Sequence, residues 1–256
     1  MTFKSTGITF IISLCIIFSL YYFLEISLWW LILPLLVFMF FVIYGSANIQ
    51  FNFYTKAFCS AITKEKQIAV TFDDGPNKEY TPKVISLLEE YNAKATFFLI
   101  GRKIEGNEAI VIQIDSAGHT IGNHTFSHSF FIDFKNVSGF KDELNKTSDS
   151  VFNLIGKRIK LFRPPYGVTT PNLAKAAKAL KYQIIGWNVR SMDTRNDNEE
   201  KIILRVTQQL KPGAVVLFHD TSEKTIHVLK QTLEFAKQNG FKIVSMQSLL
   251  NIQPYE

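Results

Sequence analysis

Two long apolar segments without charged side chains dominate the first 44 residues and leave few possible arrangements for this part of the chain. Residues 8–24 and 26–44 are uncharged, and Glu25 alone separates them. One straight helix through both segments would be about 55 Å long, whereas the hydrocarbon core of a bilayer measures about 30 Å. We therefore expect a transmembrane hairpin within residues 1–45, with spans at about 8–24 and 26–44 and a tight turn near Glu25.

Two alternatives to a membrane hairpin remain open from the sequence. A cleaved signal peptide would use the small residues at 45–47, but its apolar region would be much too long, and only Lys4 is basic near the start. The second alternative is a pair of helices buried inside a soluble protein. The length of the apolar segments favours the hairpin over both.

The composition argues against one class of function. The formal net charge is +6, but the basic residues are spread along the chain and form no stripe interleaved with aromatic residues. We therefore expect no nucleic acid partner. Cys15 and Cys59 are the only cysteines, which is too few for a disulfide framework.

After the apolar segments, short apolar runs alternate with helical patterns. Residues 46–66 are expected to form a connector, and residues 67–256 are enough for one full domain. Strands are predicted at 68–72, 95–100, 119–122, 160–162, 182–187, 214–218 and 241–245. Helices are predicted at 80–91, 107–117, 138–154, 171–180, 198–210 and 224–238. This alternation predicts an α/β fold with about seven parallel strands, either a closed or nearly closed (β/α) barrel or an open doubly wound sheet.

Polar residues gather where the predicted strands end, which is where parallel α/β folds place their chemistry. Asp73 and Asp74 follow the first strand. Neighbouring side chains of a regular strand point to opposite faces, so these two carboxylates share one site only if the backbone turns there. We expect Gly75 and Pro76 to enforce that turn as the strand ends.

Two histidines offer a metal site near this aspartate pair. His124 and His128 follow the third predicted strand, and their spacing lets a helical turn or a compact loop bring them to one side. A single carboxylate from elsewhere in the fold would complete a site with two nitrogen ligands and one oxygen ligand. Zinc suits this set, and iron, cobalt and nickel stay open as alternatives.

Other strand ends supply groups for acid–base chemistry. One aspartate of the pair would bind the metal while its neighbour takes a proton from the attacking water, and Arg163 could fix the geometry and charge of that base. Hydrolysis of an amide also needs an acid for the leaving amine. His219 ends the sixth predicted strand, and Asp193 could orient it and hold it protonated.

Five segments, in this order, resemble the motifs of the NodB-type polysaccharide deacetylases. They are T-F-D-D-G-P at 71–76, N-H-T-F-S-H at 123–128, R-P-P-Y-G at 163–167, G-W-N-V-R-S-M-D at 186–193 and L-F-H-D at 217–220. The resemblance covers about residues 68–248. It implies a deformed (β/α) barrel of about seven strands and the metal-dependent removal of N-acetyl or O-acetyl groups from carbohydrates.

The resemblance also implies a role for each matching residue. The metal ligands would be Asp74, His124 and His128. Asp73 would be the base, and Arg163 would pair with it. The metal would be one divalent ion, with zinc expected.

The remaining implied roles concern the acid and the substrate. His219 would be the acid, tuned by Asp193, and the backbone N–H of Tyr166 would help to stabilise the oxyanion. The residues expected to line the acetyl pocket are Trp187, Leu217 and Pro165. Family members often carry Trp after the fourth-motif aspartate, whereas Thr194 stands here, which weakens any inference about sugar subsites.

The sequence thus predicts a membrane-anchored carbohydrate deacetylase that acts on acetamido groups of an amino-sugar polymer or a lipid-linked glycan. A non-catalytic glycan-binding or scaffold protein on the same fold is the alternative. The family usually acts on envelope or extracellular glycans, so we expect a multi-pass protein of the cytoplasmic membrane with its domain outside the cytosol. Lys56, Lys64 and Lys66 after the second span favour the opposite orientation.

Overall fold

The computed structural model describes residues 2–256, and its first two helices form an antiparallel hairpin. Helix α1 (Phe3–Leu24) ends at Glu25, which adopts the left-handed conformation with φ 52°. A short 3-10 helix (Leu28–Leu31) then leads into helix α2 (Ile32–Ala47). Both apolar segments are long enough to cross a bilayer, and only 0% and 6% of them are buried, so they are not core helices.

Within residues 2–256, nine strands form one sheet in which every pairing is parallel. The strands are β1 (Ala57–Phe58), β2 (Gln67–Gly75), β3 (Thr96–Leu99), β4 (Thr120–Asn123), β5 (Leu161–Phe162), β6 (Gln183–Ile185), β7 (Val189–Arg190), β8 (Val215–His219) and β9 (Lys242–Ile243). Their order is β1-β6-β5-β4-β3-β2-β8-β7, and β9 pairs with the start of β2. Strands β1 and β7 form the two edges, so the barrel is open.

Within residues 2–256, seven further α-helices accompany the strands, six of them between strands and the last after β9. They are α3 (Tyr80–Glu90), α4 (Glu108–Ser116), α5 (Val137–Ile155), α6 (Pro171–Ala179), α7 (Glu199–Thr207), α8 (Glu223–Gln238) and α9 (Met246–Leu250). Neighbouring helices contact one another in the order α6-α5-α4-α3-α8-α7, which follows the order of the strands. The predicted parallel (β/α) barrel is therefore confirmed, with its helices as an outer layer.

The side chains of β2 alternate between two layers. Val70 and Phe72 pack in a cluster with residues of α3, α4, α7 and α8, whereas Ala69 belongs to a second cluster that includes residues of α5, α6 and α9. Successive side chains point to opposite faces, so Thr71 and Asp73 share the inner face with Ala69. The interior thus begins apolar and becomes polar toward the carboxyl end of the strand.

The strand register brings the polar residues to one edge. Asp73 pairs with His219 of β8 on one side and with Phe98 of β3 on the other. Asn123 of β4 pairs with Phe162 of β5, and the residues that follow this pair are therefore neighbours. The carboxyl edge of the sheet consequently collects four of the five motifs at their strand ends.

The structure differs from the predicted elements in two places. Residues 46–66, expected to be only a connector, supply strand β1, which pairs with β6. The strand predicted at 182–187 ends at Ile185 and is followed by a separate strand, β7. Both additions are two residues long, and no helix separates β1 from β2 or β7 from β6, so the alternation of strands and helices does not reveal them.

Candidate active site

A β-bulge, and not the end of the strand, brings the two aspartates together. Strand β2 continues to Gly75, and its register with β3 shifts between Asp73 and Gly75 because Asp74 is an extra residue there. Asp74 has φ 72°, in the left-handed region. The strand ends at Gly75, directly behind the pair as predicted. The change in backbone direction occurs at Asp74, inside a strand that still pairs with β3 at Gly75.

Three side chains converge beside this bulge. The Nε2 atoms of His124 and His128 lie 3.6 and 3.3 Å from Oδ1 of Asp74. One ligand atom from each residue lies within 4.8 Å of the other two. Atoms bound at 2.0–2.1 Å to a tetrahedral zinc ion lie about 3.3 Å apart. The spacing of the three groups therefore fits a metal site.

The protonation and hydrogen bonds of these groups fit a metal as well. Nδ1 of His124 lies 2.7 Å from the carbonyl oxygen of Arg163, which can only accept, so Nδ1 carries the proton and Nε2 presents its lone pair. Burial, followed by the neighbouring His124, lowers the pKa of His128 and favours its neutral form. Oδ1 of Asp74 is buried without a hydrogen-bond partner within residues 2–256, which a bound cation would remedy.

Asp73 is held by Arg163 and leaves one oxygen free. Nη1 of Arg163 donates to Oδ1 of Asp73 at 2.8 Å and to the hydroxyl of Thr71 at 2.7 Å. The other oxygen of Asp73 lies 3.8 Å from Nε2 of His124. Arg163 is fully buried, and its guanidinium stacks 4.2 Å over the ring of Phe98. Asp73 thus has one fixed oxygen and one oxygen facing the three convergent groups.

His219 and Asp193 form a pair on the opposite side of Asp73. Asp193 accepts from Nδ1 and from the backbone N–H of His219, both at 2.8 Å. The hydroxyls of Ser191 and Thr225 donate to the same carboxylate at 2.8 Å. Burial lowers the pKa of His219, but the hydrogen bond and charge of Asp193, helped by Asp73 and Asp74, outweigh it and leave the pKa raised. Protonated His219 is thereby favoured.

The third motif forms the rim of the site. Tyr166 adopts φ 59° and is 45% exposed, and its hydroxyl lies 3.5 Å from Nδ1 of His128. Gly167 follows with φ 73°, and a Cβ there would lie 2.5 Å from the Trp187 ring. Only glycine allows this close approach. All three residues predicted to line the acetyl pocket, namely Pro165, Trp187 and Leu217, are buried.

We call the convergent residues Asp74, His124 and His128 the metal side of the site. Three further residues support it, and the sequence predicted no role for them. Glu143 of α5 accepts from the backbone N–H groups of Phe126 and Ser127 at 3.0 and 2.7 Å, and so anchors the loop between the two histidines. Lys103 donates to the carbonyl oxygen of Asp74 at 2.8 Å. Glu143 was recognisable, because it lies on the apolar stripe of a predicted helix.

The third supporting residue, Asp220, lies directly beneath the bulge. Its carboxylate accepts a hydrogen bond from the hydroxyl of Thr81 and lies where a side chain at Gly75 would clash. Burial raises the pKa of Asp220 to about 6. Only its position in the fifth motif pointed to it in the sequence.

The other two histidines lie away from the site. His119 is buried between β3 and β4, accepts from the N–H of Ala95 at 3.2 Å, and has a pKa that burial lowers to about 4. His227 lies on the exposed surface of α8, 3.3 Å from Glu199. The fold therefore separates the histidines of the motifs from those outside them.

This fold, with these groups at the carboxyl edge of its sheet, is that of the polysaccharide deacetylases. A family model described as polysaccharide deacetylase matches residues 60–185. The chain belongs to the polysaccharide deacetylase family, as the five motifs predicted, and is a hydrolase of that class.

Relatives named as peptidoglycan deacetylases are similar over most of the domain. A peptidoglycan-N-acetylglucosamine deacetylase of Bacillus cereus is 37% identical over 191 residues, which cover 73% of this chain and 89% of the relative. The peptidoglycan-N-acetylmuramic acid deacetylase PdaA of Bacillus subtilis is 32% identical over 198 residues, covering 76% and 75%.

Solved structures give the same result. The crystal structure of the Bc1960 peptidoglycan N-acetylglucosamine deacetylase, in complex with 4-naphthalen-1-yl-N-oxidanyl-benzamide, has a TM-score of 0.74 and 32% identity, and covers 77% of this chain and 94% of that one. BA3943 of Bacillus anthracis, a CE4 family pseudoenzyme, has a TM-score of 0.70 and 26% identity over 75% of this chain and 67% of that one. Likeness in fold therefore does not establish activity, and the site itself must be considered.

Proposed function

We propose that this protein is a membrane-anchored deacetylase that hydrolyses acetamido groups of a cell-wall amino-sugar glycan with one divalent metal ion, zinc being expected. The convergence of Asp74, His124 and His128 beside a free oxygen of Asp73 is the observation that carries this proposal. The peptidoglycan substrates named for the relatives support the choice of glycan.

The proposed metal ligands are Asp74, His124 and His128. A divalent ion bound there supplies Lewis acidity, which polarises the acetyl carbonyl and makes water easier to deprotonate. Asp73 takes the proton from the attacking water through the oxygen that Arg163 leaves free. The hydrogen bond from Arg163 fixes the orientation of this carboxylate.

The leaving amine receives its proton from His219. Asp193 orients the imidazole through Nδ1, so that Nε2 carries the transferable proton. The backbone N–H of Tyr166 is proposed to donate to the oxyanion, and the acetyl methyl group is proposed to lie against Trp187, Leu217 and Pro165.

A non-catalytic protein on this fold remains the second candidate, because a pseudoenzyme is among the structural relatives. The short distances among the residues proposed as metal ligands, between the proposed base and Arg163, and between the proposed acid and Asp193 support catalytic activity. We therefore favour an active enzyme.

Release of acetate from N-acetylglucosamine oligomers by the purified full chain tests the proposal. Asp73→Asn should retain bound metal and lose about 10²–10⁴-fold in rate, because only the base is removed. Asp115→Asn, a surface carboxylate paired with Lys157, is the matched control. A near-normal rate for Asp73→Asn, or no acetate release by the unaltered chain, would contradict the proposal.

The membrane anchor is proposed from the length, apolarity and exposure of the two N-terminal segments. We propose that the domain lies on the extracytoplasmic side, where cell-wall glycans are found. Digestion of intact cells with an added protease should cleave the domain. Protection in intact cells, followed by cleavage after permeabilisation, would assign it to the cytosol.

A further inference from the structure

A lysine-rich groove lies where the N-terminal hairpin meets the domain, and none of its lining residues belongs to the five motifs. Its volume is about 740 Å³, within the range of small-molecule sites. Its walls come from the start of α1, from the connector residues 52–56 and from the outer face of α6. It contains no residue of the proposed catalytic site.

The charge of this groove is entirely positive. The four charged residues that line it are Lys4, Lys56, Lys175 and Lys178, and no carboxylate lines it. All four are exposed, and within residues 2–256 none makes an ion pair. The groove is therefore complementary to an anion.

The floor of the groove is apolar and aromatic. The rings of Phe3, Phe53 and Tyr54 contact one another with centroids 4.8–5.8 Å apart. Tyr182 and Ile184 continue this surface toward β6. Aromatic residues beside lysines are typical of the boundary between the hydrocarbon and headgroup layers of a membrane.

The groove is held in a fixed position relative to the hairpin. The N–H of Phe3 donates to the carbonyl oxygen of Phe53 at 2.9 Å, and the N–H of Thr169 donates to that of Ser46 at 3.0 Å. Gly45 of α2 packs so closely on Phe53 that a Cβ there would lie 2.3 Å from its ring. These contacts place the lysines beside the end of the hairpin that carries the domain.

We propose that this groove binds the headgroup of an anionic phospholipid of the surrounding bilayer. The lysines contact the phosphate, and the aromatic floor contacts the glycerol and the first acyl carbons. The inference rests on the proposed membrane anchor but not on the deacetylase activity. Because α6 begins just after the loop that carries Tyr166, a bound lipid would hold the rim of the active site close to the membrane surface.

Native mass spectrometry of the full chain in a mild non-ionic detergent tests the site. Dioleoylphosphatidylglycerol should bind saturably and at least about tenfold more tightly than the zwitterionic dioleoylphosphatidylcholine, since each lysine near an anionic headgroup contributes about a fivefold change. Changing all four groove lysines to Gln should abolish this preference. Changing them to Arg should preserve it.

The matched control changes four lysines outside the groove to Gln, namely Lys141, Lys211, Lys230 and Lys237. This control should keep the preference for phosphatidylglycerol. Equal binding of both lipids by the unaltered chain, an equal loss in the control, or inorganic phosphate competing as well as the lipid would each overturn the proposal.

Acetate release by the same variants separates this inference from the proposed function. The groove variants should retain their rate on soluble oligomers, because none of the four lysines belongs to the catalytic site. If the chain binds phosphatidylglycerol but releases no acetate, the lipid site is supported and only the proposed deacetylase activity is contradicted.

Discussion

The metal side of the candidate active site and its acid side, formed by Asp193 and His219, differ in how many of their buried polar atoms have hydrogen-bond partners. On the metal side, Oδ1 of Asp74 is buried without a hydrogen-bond partner within residues 2–256. On the acid side, the carboxylate of Asp193 accepts four hydrogen bonds of 2.8 Å from protein groups. An unsatisfied buried oxygen is costly, whereas a fully bonded carboxylate holds its neighbours rigidly. The comparison supports the proposal that a bound cation completes the metal side, whereas protein groups alone satisfy the carboxylate of the acid side.

Removing the metal should have the largest effect and should affect the metal side only. Chelation, or His124→Gln, is expected to lower the rate of acetate release by about 10³-fold or more, because Lewis acidity contributes several kcal/mol. The amount of bound metal should decrease together with the rate. The melting temperature should also decrease, because a metal that binds only the folded state stabilises that state.

The measurements are acetate release, elemental analysis and thermal unfolding. His227→Gln, on the surface of α8, should change none of them. If the chelated protein kept both its rate and its melting temperature, the metal side would not be an incomplete ligand site.

Asp193→Asn is expected to have the next largest effect and to act through the pKa of His219. The hydrogen bond and charge of Asp193 raise that pKa against the effect of burial, so their loss lowers it. A general acid is lost as the pH rises through its pKa, so the alkaline limb of the rate profile should move to lower pH. The rate on amides should fall about 10²-fold, and the rate on activated esters should fall less.

The pH profiles of the rate for Asp193→Asn and for Asp197→Asn, a neighbouring carboxylate paired with Arg205, test this. Only the first should shift. If the alkaline limb were unchanged in both variants, Asp193 would not control the pKa of the group that acts as the acid.

Glu143→Gln should have a smaller effect, because it acts on the loop that carries the histidines. Its carboxylate accepts hydrogen bonds from the backbone N–H groups of Phe126 and Ser127 and from the hydroxyl of Ser127. A glutamine removes the charge, so we expect a loss of about 1–3 kcal/mol in the free energy of unfolding and about tenfold in metal affinity. Denaturant unfolding and metal titration measure these, with the exposed Glu90→Gln as control. Weakened stability with unchanged metal affinity would separate the loop from the metal site.

Tyr166→Phe should have the smallest effect. The hydroxyl lies 3.5 Å from Nδ1 of His128, a weak contact, and the proposed role belongs to the backbone N–H, which the variant retains. The rate of acetate release is expected to stay within about threefold of the unaltered chain. A much larger decrease would assign the role to the side chain instead.

Much of the fold followed from the alternation of apolar runs and helical patterns. The long parallel strands were predictable because each contains several consecutive apolar residues, as at Ile68–Val70 and Val215–Phe218. Strands β1 and β7 were not, since no helix separates β1 from β2 or β7 from β6, and the alternation that located the equally short β5 and β9 is missing there. Their positions depend on the neighbouring strands β6 and β8 with which they pair.

The candidate site was predictable in its membership but not in its geometry. The sequence indicated Asp73, Asp74 and the two histidines, because polar residues at strand ends are typical of sites in such folds. It could not distinguish a turn from a bulge at Asp74, because D-D-G-P is compatible with both. Glu143 and Asp220 went unassigned, since their importance comes from the loops they contact.

The sequence by itself determined which chemical groups this protein has and at which strand ends they occur. Tertiary structure decided which atoms meet. Hydrogen bonds from β3 and β8 fix the register on both sides of β2, and that register sets the bulge at Asp74. Residues distant in the chain, such as Asp73 and Arg163, come within 2.8 Å only through this pairing, because no local preference of the chain specifies a contact between separate strands.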